Sequence, residues 1–199
     1  MNLSIDDLRG TGCFSDIDIH LADFLSRESG VNSPVFYLIV MMLSSRLYSG
    51  DVCLSLDDIS GKPLSYFFGD DGDGVYKDIL IPEKPELLAS LEKNRAVGRD
   101  GDYLPLILDS ENKLYFQKYY SFENNLAESI KRLAADKKLP EDISNVKESF
   151  SLLFPPSSDG TDWQSAAAYS ALSGGLTVIS GGPGTGKTTI IKSLLEIFS

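Results

Sequence analysis

Apolar and polar positions recur along this chain in blocks whose period changes from one segment to the next. From Asp16 to Ser26, Ile17, Leu21, Phe24 and Leu25 fall at helical spacing while Asp16, Asp18 and Asp23 take the other side, which predicts a short amphipathic helix. Pro34 stands behind Ser33, a helix-capping residue, and Val35 to Tyr48 is apolar nearly all round until Ser49-Gly50 stops it. That pattern predicts a central, buried helix. Asp51 to Ser60 reads as a short extended piece and then one helical turn capped by Ser55. Glu83 to Arg95 is helical in pattern, with Leu87, Leu88 and Leu91 on one side. Leu104 to Leu108, the turn Asp109 to Asn112, and Lys113 to Lys118 predict a β-hairpin. Phe122, Leu126, Ile130 and Leu133 follow at i, i+4, i+8 and i+11, a helix seam with Pro140 as its stop, and a weaker helix spans Val146 to Phe154.

Pro155-Pro-Ser-Ser-Asp-Gly160 is the clearest linker, so a domain boundary is expected there: a mainly helical domain over 1–154, a linker over 155–161, and a second segment over 162–199. The second segment begins with Trp163-Gln164 and an Ala-rich helical stretch to Leu172. A Gly-Gly turn, the β-branched run Leu176 to Ser180, a glycine-rich loop and a striped helix with Ile190, Ile191, Leu194, Leu195 and Phe198 follow. Strand, glycine loop and helix in that order make the expected fold class α+β. It comprises a helical domain with a small hairpin, then the first strand, loop and helix of an α/β nucleotide-binding domain that is cut short.

Charge narrows the function classes. In 199 residues, 18 Lys and Arg face 29 Asp and Glu, a formal net charge of −11. Such a surplus of carboxylates opposes approach to nucleic acid by the chain as a whole. Residues 1–80 hold five basic and 13 acidic side chains and are the poorest candidate for a DNA face. Cys13 and Cys53 sit in apolar settings and read as reduced thiols, not as a disulfide framework or metal knot. Asp6 and Asp7 stand where a secretory signal carries positive charge, and the nine-residue apolar run Val35 to Leu43 is short of the about 20 residues of a membrane span. A cytoplasmic location is expected. The acidic turn Phe68 to Gly74 is not a calcium loop, because position 12 counted from Asp70 or Asp71 is Ile81 or Pro82 where a Glu is needed. His20 has no partner in view and receives no role.

The chemistry lies in Gly181-Gly-Pro-Gly-Thr-Gly-Lys-Thr-Thr189, which satisfies G-x-x-x-x-G-K-[ST] with Gly181, Gly186, Lys187 and Thr188 at the fixed positions. Glycines let successive backbone N–H groups turn inward around phosphate oxygens, and the following helix adds its positive dipole end. Lys187 can reach the β and γ phosphates of ATP, and the Thr188 hydroxyl can ligate Mg²⁺. Thr189 either contributes or simply continues the helix. Gln164, 17 residues before Gly181, has an amide that matches the N6 and N7 edge of adenine; taken alone it is better read as a polar residue early in a helix. Trp163 reads as a packing anchor.

The stretch Asp162-Trp-Gln-Ser-Ala-Ala-Ala-Tyr-Ser-Ala-Leu172 with Val178 to Thr189 resembles the Q-motif and first helicase motif of the RecD family, alpha subunits of exodeoxyribonuclease V (RecBCD) complexes. Gly50-Asp-Val-Cys-Leu-Ser-Leu56, Leu104-Pro-Leu-Ile-Leu-Asp109, Leu114-Tyr-Phe-Gln-Lys-Tyr-Tyr120 and Glu123 resemble its N-terminal region. The resemblance implies a superfamily 1 helicase that moves 5′ to 3′ on single-stranded DNA using ATP and Mg²⁺. It assigns phosphate binding to Gly182, Gly184, Thr185, Gly186 and Lys187, Mg²⁺ to Thr188 and adenine to Gln164; the motif itself adds Gly181, Pro183 and Thr189 to the nucleotide-binding set and makes Lys187 the catalytic charge. It further implies RecC-like and RecB-like partner subunits, with the acidic helical domain docking on a partner and DNA contacted elsewhere.

Only 12 residues follow Lys187, too few for the acidic pair, arginine finger and second motor domain of such an enzyme. The expectation is therefore an N-terminal portion of a longer helicase subunit, inactive by itself and binding nucleotide weakly or not at all. Two other readings stay open: a regulatory domain plus phosphate loop of an ATPase unrelated to DNA, and a pure protein-interaction module.

Overall fold

A computed structural model of the chain describes residues 4–69, 79–136, 143–155 and 162–198. The chain divides into two compact units, Met1–Glu123 and Asn124–Ser199. The acidic turn over 68–74 and the Pro140 stop fall largely or wholly outside the described residues, as does the 155–161 linker apart from Pro155.

In the first unit, α1 (Ile5–Gly10) leads to α2 (Asp16–Ser29), whose start is a capping box. The Asp18 N–H donates to Ser15 Oγ at 3.4 Å and the Ser15 N–H returns to Asp18 Oδ2 at 2.9 Å, so two orphan donors of the first turn are satisfied reciprocally. This helix is rotated from the stripe that spacing suggested. Asp18, Ala22, Leu25 and Ser29 are the buried residues, whereas Ile17 and Phe24 are 58% and 48% exposed. The cap folds the Asp18 carboxylate back over the helix end, and Ala22 and Leu25 pack into the core, leaving Ile17 and Phe24 outside. Tyr37 ties three helices together: its Oη accepts from Arg9 Nε at 3.1 Å and donates to Asp23 Oδ1 at 3.1 Å.

Helix α3 (Pro34–Tyr48) is the axis of this unit, with Phe36 to Ser44 all buried. Ser33 caps it by accepting from the Phe36 N–H, and Pro34 loses nothing in the first turn, where its missing N–H would have no intrahelical partner. Strand β1 (Cys53–Ser55) passes into the turn α4 (Leu56–Ile59), capped by Ser55 as its sequence suggested. Helix α5 (Leu64–Phe68) follows, and α6 (Lys84–Glu92) buries Leu87 and Leu91 in the core it shares with α3.

The expected hairpin forms from β3 (Leu106–Leu108) and β4 (Lys113–Phe116), in register Leu106 with Phe116 and Leu108 with Leu114. Its turn is held by Asp109 Oδ1, which accepts from the N–H groups of Glu111 and Lys113 at 2.8 Å each, and by Asn112 at φ 59°, a conformation Asn tolerates better than most residues. The second strand is shorter than expected because Gln117 and Lys118 already belong to α7 (Gln117–Ala135). The hairpin is the centre of a four-stranded sheet of order β1-β4-β3-β2: β1 pairs antiparallel with β4, and β2 (Val97–Gly98) pairs parallel with β3.

The division between units falls within α7, whose seam residues Phe122, Leu126, Ile130 and Leu133 are all exposed. In the second unit α8 (Ile143–Leu153) packs with α9 (Trp163–Ser173) and α10 (Lys187–Phe198) around Phe154, Ala168 and Ile190, flanked by Phe150, Leu153, Ile179 and Leu194. The helix before the expected linker thus packs with the helices after it. The run Leu176 to Ser180, expected as a strand, joins no ladder among the described residues. A strand is stabilised by pairing with a neighbour, and the described residues of this unit supply none. The run is pinned at its start instead: Thr177 Oγ1 donates to the Ser170 carbonyl at 3.0 Å, and a β-carbon on Gly175 would lie 2.2 Å from the Leu133 carbonyl oxygen, so only glycine fits. No helix among the described residues is long and apolar enough to cross a membrane.

Candidate functional site

The glycine loop lies between that run and α10, and its shape follows from its residues. Gly184 and Gly186 take φ +75° and +83°, a region closed to most side chains. At Gly186 space adds to backbone: a β-carbon would lie 2.5 Å from Gln164 Nε2. The chain then enters α10 at Lys187, where the first N–H groups of a helix have no intrahelical acceptor. Among the described residues, no acceptor takes the N–H groups of Gly182, Gly184, Thr185, Gly186 or Lys187.

Lys187 spans the loop. Its Nζ donates to the carbonyls of Gly181 and Gly182, each at 2.7 Å, so the ammonium folds back onto the start of the loop. Thr185 Oγ1 donates to the Gly182 carbonyl at 2.9 Å and narrows the same turn. Thr188 and Thr189 are exposed in the first turn of α10, and Pro183 is exposed at the tip.

Gln164 is brought to the loop across 21 residues of sequence, its Nε2 donating to the Thr185 carbonyl at 3.4 Å. It is placed by Asp162, the cap of α9, which accepts from the N–H groups of Gln164 and Ser165 at 2.9 and 3.2 Å. The Ser165 hydroxyl, 2.6 Å away, is the chief cause that holds the Asp162 carboxylate below its usual range, with those backbone N–H groups adding to it. Asp162 received no role from the sequence; its signal was an acid directly before a helix start. Trp163 is 77% exposed and does not pack as an anchor.

The donor set suits a polyphosphate: one ammonium, a helix start and a row of N–H groups, with no carboxylate among the described residues paired to Lys187. For Mg²⁺ the loop offers the Thr188 hydroxyl, and no group of three or more His, Cys, Asp or Glu able to hold a metal occurs among the described residues. Both thiols lie elsewhere, free and half-buried, and burial is the largest cause that pushes Cys13 and Cys53 above their ordinary values.

Comparison with known proteins follows the same division. Residues 10–115 match the family described as RecBCD enzyme subunit RecD, N-terminal domain, and residues 164–199 match an AAA domain. The chain is similar to the RecBCD enzyme subunit RecD of Mycobacterium tuberculosis, at 31% identity over 180 residues, which is 90% of this chain and 28% of that protein. The same subunit of Mycolicibacterium smegmatis is 28% identical over 182 residues, 92% of this chain and 29% of its own length. That of Haemophilus influenzae is 34% identical over 85 residues, 42% of this chain and 13% of the relative. The chain thus spans under a third of the length of these relatives.

Proposed function

This chain belongs to the RecD N-terminal domain family, and from that membership we propose that it forms part of an ATP-dependent 5′ to 3′ DNA helicase subunit. The subunit would act within an exodeoxyribonuclease V (RecBCD-type) complex in double-strand break repair and recombination. The observation that carries the reading is the phosphate loop closed by Lys187, in a segment that follows a RecD-type domain on the same chain.

The loop's residues divide the work. The N–H groups of Gly182, Gly184, Thr185, Gly186 and Lys187 take phosphate oxygens, with Gly181 and Pro183 shaping the turn. Lys187 supplies the charge that favours negative charge developing on the transferred phosphoryl group, and is the catalytic residue. Thr188 holds Mg²⁺, Thr189 completes the first turn of α10, and Gln164 reads adenine. ATP with Mg²⁺ supplies the phosphoryl transfer that drives movement on DNA. The 162–199 segment is the opening part of a superfamily 1 motor domain, and the helical part before it docks on RecC-like and RecB-like subunits. Its acidic first 80 residues and the exposed seam of α7 suit protein contact better than DNA. The 199 residues alone should not hydrolyse ATP, because among the described residues no carboxylate bonds to the loop and the second unit forms no sheet.

The test is DNA-stimulated ATP hydrolysis in a chain of the relatives' length. Lys187→Gln there is expected to lower turnover about 100-fold or more. Hydrolysis at the unsubstituted rate would remove Lys187 from the chemistry.

A further inference from the structure

The contact between Gln164 and the loop has a consequence for phosphate binding that does not involve a base. Gln164 Nε2 donates to the Thr185 carbonyl, and the Thr185–Gly186 peptide is trans, as are all the described peptide bonds. In a planar trans peptide the carbonyl and the next N–H point in opposite directions. Drawing the Thr185 carbonyl toward Gln164 therefore turns the Gly186 N–H away from Gln164. Gly186 has no β-carbon to resist rotation of this peptide, so its own preferences do not choose between the two orientations. The donor from α9 does choose.

We propose that Gln164 is a positioning residue of the phosphate loop: through the Thr185 carbonyl it fixes the Thr185–Gly186 peptide so that the Gly186 N–H faces the phosphates. This rests on the nucleotide reading above and goes beyond it, since a residue that only reads adenine contributes nothing to a ligand lacking a base. The two roles are compatible in one side chain. A carboxamide carries two N–H groups that point apart; the one beside its carbonyl pairs along a base edge, leaving the other for Thr185. Asp162 contributes at one remove by fixing the turn of α9 that carries Gln164.

The probe is magnesium tripolyphosphate, which has the phosphates of ATP and no base, titrated into a glycine-labelled chain of the relatives' length and followed by amide NMR at millimolar concentrations. Gln164→Met keeps a side chain of similar length against Gly186 and removes the donor. It is expected to weaken tripolyphosphate binding about fivefold, the scale of one neutral hydrogen bond, and to abolish the ligand-induced shift of the Gly186 amide while leaving that of Gly184. The urea midpoint of the variant serves as the control for folding, and a purely structural role for Gln164 would move both amides together. Equal affinity and an unchanged Gly186 shift in Gln164→Met would overturn the proposal while leaving the nucleotide reading in place. Absence of binding, or binding indifferent to Lys187→Ala, would overturn the nucleotide reading and this proposal with it.

Discussion

In the first unit α3 runs through a core of 24 buried apolar residues, whereas the second unit centres on three, Phe154, Ala168 and Ile190, among the described residues. The second unit also leaves Leu152, Val178, Ile191 and Leu195 exposed. Both have well-formed helix starts, with Ser33 capping α3 and Asp162 capping α9. The difference shows that a phosphate loop and a folded layer have separate requirements. Gly184, Gly186 and Lys187 shape the loop from a few residues of local backbone and one side chain. Burial needs a second layer to cover each apolar face, and the second unit presents faces with little to cover them.

The largest expected effect tests that contrast in stability. Ile39→Ala in α3 should cost about 3 to 4 kcal/mol, the usual cost of emptying a tight core, whereas Ile190→Ala should cost less than about 2 kcal/mol because its surroundings can collapse or hydrate. Urea denaturation of both variants measures it, and equal costs would mean that the second unit is as tightly packed as the first.

A smaller effect concerns α7. Leu126→Gln with Ile130→Gln should change stability by no more than about 0.5 kcal/mol, as at other exposed positions. The same pair should weaken capture of RecC-like and RecB-like subunits. A loss of stability well above that limit would show that the seam is already covered within the chain.

The smallest is a pH effect confined to the second unit. The Asp162 carboxyl titrates below its usual range when α9 is formed, so its contribution is complete above the unfolded value of about 3.9 and is lost as pH falls through the lowered folded value. Amide signals of the first turn of α9 should therefore broaden or shift in that acid range. Asp162→Asn, which still caps but does not titrate there, should remove the response; an identical response in the variant would assign it to another group.

How far sequence reached depended on whether a feature was local. Ser33-Pro34 before an unbroken apolar run announced α3, and Asp109 to Asn112 between two apolar segments announced the hairpin. The extended pattern after Asp51 signals β1 itself, but its pairing of Cys53 with Tyr115 joins segments far apart in the chain, so nothing local signals its partner, and the two-residue strand β2 is too short for any pattern. Spacing places Leu25 of α2 inward correctly but not Ile17 and Phe24, because Asp18 is buried as a capping residue and spacing treats every Asp as a solvent-facing group. The run Leu176 to Ser180 has a strand's composition, but composition supplies no partner. At the site, the motif located Lys187 and the glycines outright. It does not indicate that Lys187 folds back onto the Gly181 and Gly182 carbonyls, since a residue pattern carries no side-chain rotamer, or that Gln164 reaches Thr185, since that contact depends on how α9 packs beside the loop.

On the function proposed above, nucleotide is bound by the loop of the second unit while the first unit serves as a stable docking body. Hydrogen exchange of a chain of the relatives' length, with and without millimolar magnesium ATP, discriminates these roles. Protection is expected at the amides of 182–190 and nowhere in the first unit, and it should vanish in Lys187→Ala. Unchanged exchange across the loop, or nucleotide-dependent protection centred on α3, would exclude this division of roles.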